Sequence, residues 1–297
     1  MTGVICLDKP EGISSFFAVK KVSRLLDTKK AGHTGTLDPM ATGVLVIMLG
    51  SCTRFIDFLP ESEKSYTARV MLGKNTDTLD ITGDILEEKD VNVTEDKLKK
   101  TAEKFLGDIL QVPPMYSALR KDGVRLYDLA RQGVEVERAP RKVQIKELRI
   151  YDFDGSSFSM DVTCSAGTYI RSLAFDIGES LGTGACLTSL RRTAANGFSI
   201  DKSLTLEEIE KHLENEDIEK YILPIENALK SYEAVTVSEA QGKRFRNGGE
   251  LDLNRIQKDF CNSLYRIFAP DGSFLGLGEA DTENNSLKPK RVFSANE

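Results

Sequence analysis

Residues 44–49 (VLVIML) form an unbroken apolar run of the length that is typical of a buried strand. The stretch directly before them, residues 32–43 (GHTGTLDPMATG), carries one carboxylate, Asp38, among three glycines. Glycine permits backbone angles that are closed to other residues, and Pro39 fixes its own φ and biases Asp38 toward an extended conformation. A loop this rigid, leading into a buried strand, can hold one acid in a fixed position.

The spacing alone leaves two interpretations of Asp38 open. It is either an acid held in place for chemistry or an ordinary turn residue whose side chain caps neighbouring backbone groups, as aspartate often does.

Further motifs favour the first interpretation. The stretch around Asp38 resembles the catalytic signature of the TruB family of tRNA pseudouridine synthases, and other segments typical of that family follow in the family's order over residues 3–195. These segments are Leu7-Asp8-Lys9-Pro10-Glu11-Gly12, Lys64-Ser65-Tyr66, Thr76-Asp77-Thr78-Leu79-Asp80, Pro114-Met115-Tyr116-Ser117-Ala118-Leu119, Gly167-Thr168-Tyr169-Ile170-Arg171 and Leu190-Arg191-Arg192. One departure is Ala166, where many members have lysine.

The resemblance implies an enzyme that isomerises uridine 55 in the T loop of tRNA to pseudouridine, on a flipped-out nucleotide. Asp38 would act at the ribose C1′ atom, either as a nucleophile or as a base, and Arg171 would pair with it. Tyr66 would stack on the base and is a candidate for removing the C5 proton. The implied substrate-binding residues are His33, which would fill the space that the flipped uridine leaves, with Tyr66, Asp80, Tyr169 and Leu190.

Composition narrows the class of protein. A hydrophobic content of 40% and a charged content of 29% are those of a globular protein, and no apolar run approaches the length that spans a bilayer. The five cysteines are scattered without a CxxC pair, which favours reduced thiols in the cytoplasm. The reaction requires neither oxidation nor phosphate transfer, so we expect no cofactor and no metal. We further expect a monomer that needs no protein partner and no membrane.

The net charge of −6 argues, taken alone, against a nucleic-acid partner. Its distribution weakens that objection. Residues 206–233 contain nine acidic and three basic side chains, which accounts for the whole excess. Residues 18–34 and 116–149 each carry a net charge of +4. RNA binding on local basic faces is therefore compatible with the acidic total.

Periodicity predicts a short strand over residues 4–7, a helix capped by Ser14 or Ser15, and an alternating strand at residues 66–72. It also predicts an amphipathic helix over 95–105, strands over 143–152 and 157–164, and a helix from about residue 170 to 181. We expect a mixed α/β fold with a largely antiparallel sheet of the pseudouridine-synthase type, followed by a small C-terminal β-barrel.

These elements suggest two domains. Residues 1–232 would form the catalytic domain, in which the polar, arginine-rich residues 115–142 would be a thumb insertion that closes over the RNA stem-loop. Residues 233–297 would form a PUA-like RNA-binding domain, with Lys243, Arg244 and Arg246 as candidate phosphate contacts.

Three alternative functions remain beside the tRNA enzyme. One is a guide-RNA-dependent pseudouridine synthase, and another is a non-catalytic protein that binds or folds tRNA, against which intact Asp38, Tyr66 and Arg171 argue. The third is a carboxylate glycosidase, which usually needs paired acids, whereas the Asp38 loop offers one.

Overall fold

The computed structural model describes residues 1–60 and 62–294. Its helices are α1 (Ser15–Leu25), α2 (Glu95–Ala102), α3 (Leu126–Ala130), α4 (Ile170–Leu181), α5 (Leu206–Glu214) and α6 (Glu239–Arg246). Its strands are β1 (Gly3–Lys9), β2 (Ala31–His33), β3 (Thr42–Leu49), β4 (Lys64–Leu72), β5 (Lys74–Thr76), β6 (Ile85–Glu88), β7 (Gly107–Gln111), β8 (Arg120–Lys121), β9 (Val124–Arg125), β10 (Arg141–Tyr151), β11 (Ser157–Cys164), β12 (Ala185–Ala195), β13 (Phe198–Ser199), β14 (Glu233–Thr236), β15 (Leu251–Asp252), β16 (Leu264–Phe268), β17 (Phe274–Asp281) and β18 (Ser286–Val292).

The main sheet has the strand order β1-β3-β12-β4-β11-β10-β7, with β2 on β3 and β13 on β12. Its ladders are antiparallel apart from the parallel pairing of β3 with β12. This arrangement confirms the predicted mixed, largely antiparallel fold.

Strand β3 is buried on both of its faces, as its apolar run predicts. Because successive side chains of a strand point to opposite faces, Leu45, Ile47 and Leu49 pack into the main core, which also contains α1 and α4. The alternate side chains pack into a second apolar cluster; they are Val44, Val46 and Met48.

The two helices nearest the Asp38 loop begin where the sequence places them. Ser14 caps α1, and its Oγ accepts a hydrogen bond from the backbone N–H of Phe17 at 3.2 Å. Tyr169 precedes α4, and Arg171 is the second residue of that helix. Gly182, with φ 81°, ends α4 in the left-handed region.

The C-terminal strands form a second sheet in the order β14-β16-β17-β18-β15. This sheet curls as a half-barrel, with β14 and β15 as its two edges, where the sequence suggested a barrel. It packs against the main sheet through the second apolar cluster, in which the rings of Phe55 and Phe274 are 5.9 Å apart. The domain boundary at residue 232 stays a prediction, and residues 295–297 lie outside the described residues.

Helices α5 and α6 were not predicted from periodicity. Each begins with a capping box, Thr205 with Glu208 and Ser238 with Gln241, which is a sequence signal of a helix start. In the described part of the chain, no helix is both long and apolar enough to span a membrane.

Candidate active site

Hydrogen bonds from the side chains of Ser15, Lys9 and Arg192 hold the backbone of the Asp38 loop in place. Ser15 Oγ donates to the carbonyl oxygen of Leu37 at 2.9 Å and accepts from its N–H at 2.7 Å. The fully buried Lys9 donates from Nζ to the carbonyl oxygens of Pro10 and Ile13, both at 2.8 Å, and of Pro39 at 3.4 Å. These bonds hold the backbone on both sides of Asp38.

Arg192 holds the start of the same loop. The residue is 1% exposed, and its guanidinium donates to the carbonyl oxygens of Val44 at 2.7 Å, Gly35 at 3.0 Å and Thr36 at 3.3 Å. Arg192 also lies opposite Gly43 in the parallel pairing of β3 with β12. A Cβ atom at Gly43, where φ is 98°, would lie 2.2 Å from the carbonyl oxygen of Arg192. Only glycine therefore lets the two strands approach at this point.

Asp38 and Arg171 form an ion pair, as expected from the sequence. Arg171 Nη2 lies 2.9 Å from Asp38 Oδ2, and the arginine side chain is 5% exposed. The guanidinium also donates to the carbonyl oxygens of Thr78 at 2.8 Å and Tyr116 at 2.7 Å. Asp80 Oδ2 lies 3.7 Å from Nη1. Four groups from three parts of the chain thus fix one buried arginine.

The environment favours an accessible but partly desolvated carboxylate. Asp38 retains 33% of its side-chain exposure, so an oxygen remains open to a ligand. Burial raises the pKa of Asp38, the charge of Arg171 opposes that increase, and the carboxylate of Asp80 adds to it. Such a balance is typical of catalytic acids, although structural ion pairs show it too.

Asp38 lines a cavity of about 240 Å³. This volume is below the usual range of small-molecule pockets. The wall is lined by residues 36–38, Lys64, Tyr66, Ser117, Ala118, residues 167–171 and Leu190.

Three of the expected substrate-binding residues, Tyr66, Tyr169 and Leu190, lie in this wall. Tyr66 is 7% exposed, and burial raises the pKa of its phenol, while the positive charge of Arg192 opposes the shift. Tyr169 is held through its backbone, because Gln111 accepts from its N–H at 2.8 Å and donates to its carbonyl oxygen at 3.0 Å.

The other two expected residues lie outside the wall. Asp80 is 4% exposed, sits behind Arg171 and accepts hydrogen bonds from Thr78 and Thr82. His33 ends β2, and its buried Nδ1 lacks a hydrogen-bond partner among the described residues. Burial and the nearby Arg192 lower the pKa of His33, so its imidazole is neutral at physiological pH.

Sequence reasoning assigned no role to Lys9, Lys64 or Arg192. All three occur within motifs that carry the family resemblance, which was the available signal. Each is a basic residue within or beside a run that forms a strand, where an exposed cation is the usual expectation.

A larger cavity of about 700 Å³ lies between the start of the thumb insertion, β6 and α4. Its lining includes Val112, Met115, Val134 and Phe175, with Asp176 as a partly buried acid. Asp38, Tyr66 and Arg171 do not line it, so we place the chemistry in the smaller cavity. No group of three or more histidine, cysteine or acidic side chains within residues 1–60 and 62–294 is arranged to hold a metal.

Family models match three consecutive parts of the chain. Residues 23–170 match the N-terminal domain of TruB family pseudouridylate synthase, and residues 171–230 match the C-terminal domain of tRNA pseudouridylate synthase B. Residues 234–293 match the C-terminal domain of pseudouridine synthase II TruB.

Similar proteins match over nearly their full lengths. A tRNA pseudouridine synthase B of Clostridium perfringens is 44% identical over 292 residues, covering 97% of this chain and 98% of that protein. The protein of the same name from Pseudomonas fluorescens is 42% identical over 296 residues, covering 99% of this chain and 96% of its own. Among solved structures, a Cbf5-Nop10-Gar1 complex contains a chain with a TM-score of 0.75 and 27% identity, and the match covers 99% of this chain and 85% of that one.

Proposed function

This chain belongs to the TruB family of pseudouridine synthases, and on that premise we propose that it converts uridine 55 in the T loop of tRNA to pseudouridine. The observation that carries the proposal is the Asp38–Arg171 ion pair, in which a carboxylate that is 33% exposed faces a cavity of about 240 Å³. The relatives at 42–44% identity, which bear the name tRNA pseudouridine synthase B, support tRNA as the substrate.

The proposed reaction is an isomerisation. The N1–C1′ bond breaks, the uracil turns, C5 bonds to C1′, and the proton on C5 leaves while N1 gains one. Asp38 acts at C1′, either by attacking it or by removing a proton from the ribose to begin elimination. In both routes the carboxylate must be ionised, and Arg171 supplies the adjacent positive charge that favours ionisation.

Tyr66, Tyr169 and Leu190 hold the flipped nucleotide in this proposal. The raised pKa of Tyr66 keeps its phenol protonated near neutral pH, which favours stacking and hydrogen bonding over proton abstraction. Asp80 acts through Arg171, since it lies behind the guanidinium and outside the cavity wall. His33, as a neutral imidazole, fills the space that the flipped uridine leaves.

RNA is held outside the cavity by two basic surfaces. The thumb, residues 115–142, is joined to the body by the Tyr116 hydroxyl, which donates to Asp77 Oδ2 at 2.9 Å. Residues 233–297 act as an RNA-binding domain, with Lys243, Arg244 and Arg246 in the last turn of α6. We further propose that the protein acts in the cytoplasm as a monomer without a cofactor. Light scattering of the active preparation tests the oligomeric state.

The structural similarity to a Cbf5 chain favours one second candidate, an enzyme that depends on other components. The nearly full-length match to the bacterial relatives favours the stand-alone enzyme.

Both candidates are tested by tritium release from a tRNA transcript made with C5-tritiated uridine. We expect stoichiometric release by the purified chain alone, and none from a matched transcript with cytidine at position 55. Lack of release from the first transcript, or equal release from both, contradicts the proposal.

A further inference from the structure

We propose that Lys64 is a further substrate-contacting residue, whose ammonium group binds a backbone phosphate of the RNA next to the nucleotide in the Asp38 cavity. The inference rests on the proposed function, because it takes the ligand of this cavity to be a nucleotide within RNA.

The position of Lys64 is the first observation that supports this proposal. Lys64 is the first residue of β4 and lies two residues before Tyr66, so both side chains project from the same face of the strand. Both line the cavity. Lys64 Nζ would lie 3.2 Å from a Cβ atom placed on Gly35, so the ammonium group lies against the backbone of the Asp38 loop.

Lack of a counter-charge is the second support. Within the described residues, the side chain of Lys64 has no carboxylate partner, and its neighbour Glu63 pairs with Lys146 instead. The nearby thiol of Cys164 is neutral at physiological pH, because burial raises its pKa to about 11. Burial and the positive charge of Arg192 lower the pKa of Lys64. A partly buried cation beside another cation is costly unless an anion joins it.

The charges also differ from one part of the cavity wall to another. Arg171 faces two carboxylates, Asp38 and Asp80. Lys64 instead has the positive charge of Arg192 near it, and no carboxylate of the described residues forms an ion pair with it. This difference orients a nucleotide, with the ribose C1′ toward Asp38 and an anionic group toward Lys64. In RNA that anionic group is a backbone phosphate.

The test combines protein and RNA variants. Lys64→Met removes the charge with little change of volume, Lys64→Arg keeps it, and Lys100→Met on the exposed face of α2 is the matched control. Equilibrium binding to a T stem-loop is measured against salt concentration in an Asp38→Asn background, so that the RNA stays unconverted. The same stem-loop is then prepared with a neutral methylphosphonate at each phosphate flanking the target uridine.

We expect Lys64→Met to weaken binding about tenfold at 0.1 M salt and to reduce the slope of log K against log salt by about 0.7–0.9, the share of one phosphate contact. Lys64→Arg and Lys100→Met should keep the slope. One of the methylphosphonate substitutions should weaken RNA binding by the protein that has Lys64, but not by the Lys64→Met variant. With Asp38 restored, Lys64→Met should raise the RNA concentration that gives the half-maximal single-turnover rate by about tenfold, in step with its loss of binding.

The proposal would be overturned if Lys64→Met kept the salt slope and if no methylphosphonate weakened binding only in the protein that has Lys64. Unchanged binding with a large loss of single-turnover rate would also overturn it, since Lys64 would then act on the departing uracil. If Lys64→Met fails to fold, the absence of any methylphosphonate effect on the unsubstituted protein still overturns the proposal. Failure of the proposed function is separate, because it appears as a lack of tritium release with Lys64 intact.

Discussion

Arg171 Nη2 lies 2.9 Å from Asp38 Oδ2, although 132 positions separate the two residues in the chain. The arginine comes from the first turn of α4 and the aspartate from the loop before β3. The same guanidinium donates to the carbonyl oxygens of Thr78 and of Tyr116, which lies at the start of the thumb, so its position depends on both segments. The ion pair therefore joins three otherwise separate parts of the molecule to the candidate catalytic acid.

Asp38→Asn should abolish isomerisation while leaving tRNA binding within about tenfold, because the carboxylate acts at C1′ and not on phosphates. We expect the single-turnover rate of tritium release to fall by roughly a thousandfold or more. Substantial product from the variant under excess enzyme would show that the reaction does not require the Asp38 carboxylate.

Arg171→Gln should shift the acid limb of the pH–rate profile to higher pH. Asp38 must be ionised to act, burial already raises its pKa above the ordinary 3.8, and loss of the Arg171 charge raises it further. Rates should fall at every pH, most strongly on the acid side. Arg191→Gln is the matched control, because Arg191 forms a more exposed pair with Asp8 and should leave the limb in place. A limb that moves equally in both variants contradicts the assignment.

The thumb should become protected from trypsin when RNA binds. Arg120, Lys121 and Arg125 lie on its exposed hairpin, and Leu126 is the buried side chain of its short helix. Ordering about 20 residues costs roughly 1–2 kcal/mol each, which so small an apolar face offsets poorly. Adding a T stem-loop should slow cleavage after these residues but not after Lys211. Equal cleavage with and without RNA would leave residues 115–142 as a plain solvated insertion.

Gly43→Ala should destabilise the fold by several kcal/mol, because its Cβ would lie 2.2 Å from the Arg192 carbonyl oxygen. Gly155→Ala is a matched control with the same φ of 98° and open space around its Cβ position. That variant should lose only the about 1–2 kcal/mol of the left-handed backbone. Chemical denaturation of both variants measures the difference in the free energy of unfolding. Similar losses in the two variants would show that the close approach of β3 and β12 is not what requires glycine at position 43.

Asp176→Asn should stabilise the protein at neutral pH but not near pH 4. Burial raises the pKa of Asp176 from 3.8 to about 6, so the folded state binds its proton more tightly than the unfolded state does. Folding stability from this group is therefore lost as pH rises from about 4 to 6, and the amide removes that loss. We expect a gain of about 1–2 kcal/mol at pH 7 after allowing for solvent screening. Asp90→Asn, at an exposed site, is the matched control. A gain of equal size from Asp176→Asn at pH 4 would contradict the mechanism.

Local patterns determined much of the fold in advance. The apolar run of β3 and the alternation of β4 identified a buried and a half-buried strand, because such patterns are short-range properties of the chain. Helices α5 and α6 are shorter and have predominantly charged or polar sequences, so only their capping boxes indicated them.

The residues of the candidate site likewise fall into those that local sequence patterns predict and those that they do not. Motifs located Asp38, Tyr66 and Arg171, but the functions of Lys9 and Arg192 depend on carbonyl oxygens. Carbonyl groups are present at every residue, so no pattern of side chains shows which of them a buried cation will reach. The position of Asp80 behind Arg171, outside the cavity wall, likewise follows from tertiary packing alone.

The apolar cluster that β17 shares with β3 affects how deletion experiments on this protein should be designed. Phe274 and Leu277 of β17 pack in the same cluster as Val44, Val46 and Met48. A protein cut at residue 232 would lose part of the cluster that packs on β3, the strand that follows the Asp38 loop. Weak activity of the shortened chain would then report a disturbed catalytic loop as much as lost RNA affinity. Charge-neutralising substitutions on α6 separate these two effects, whereas truncation combines them.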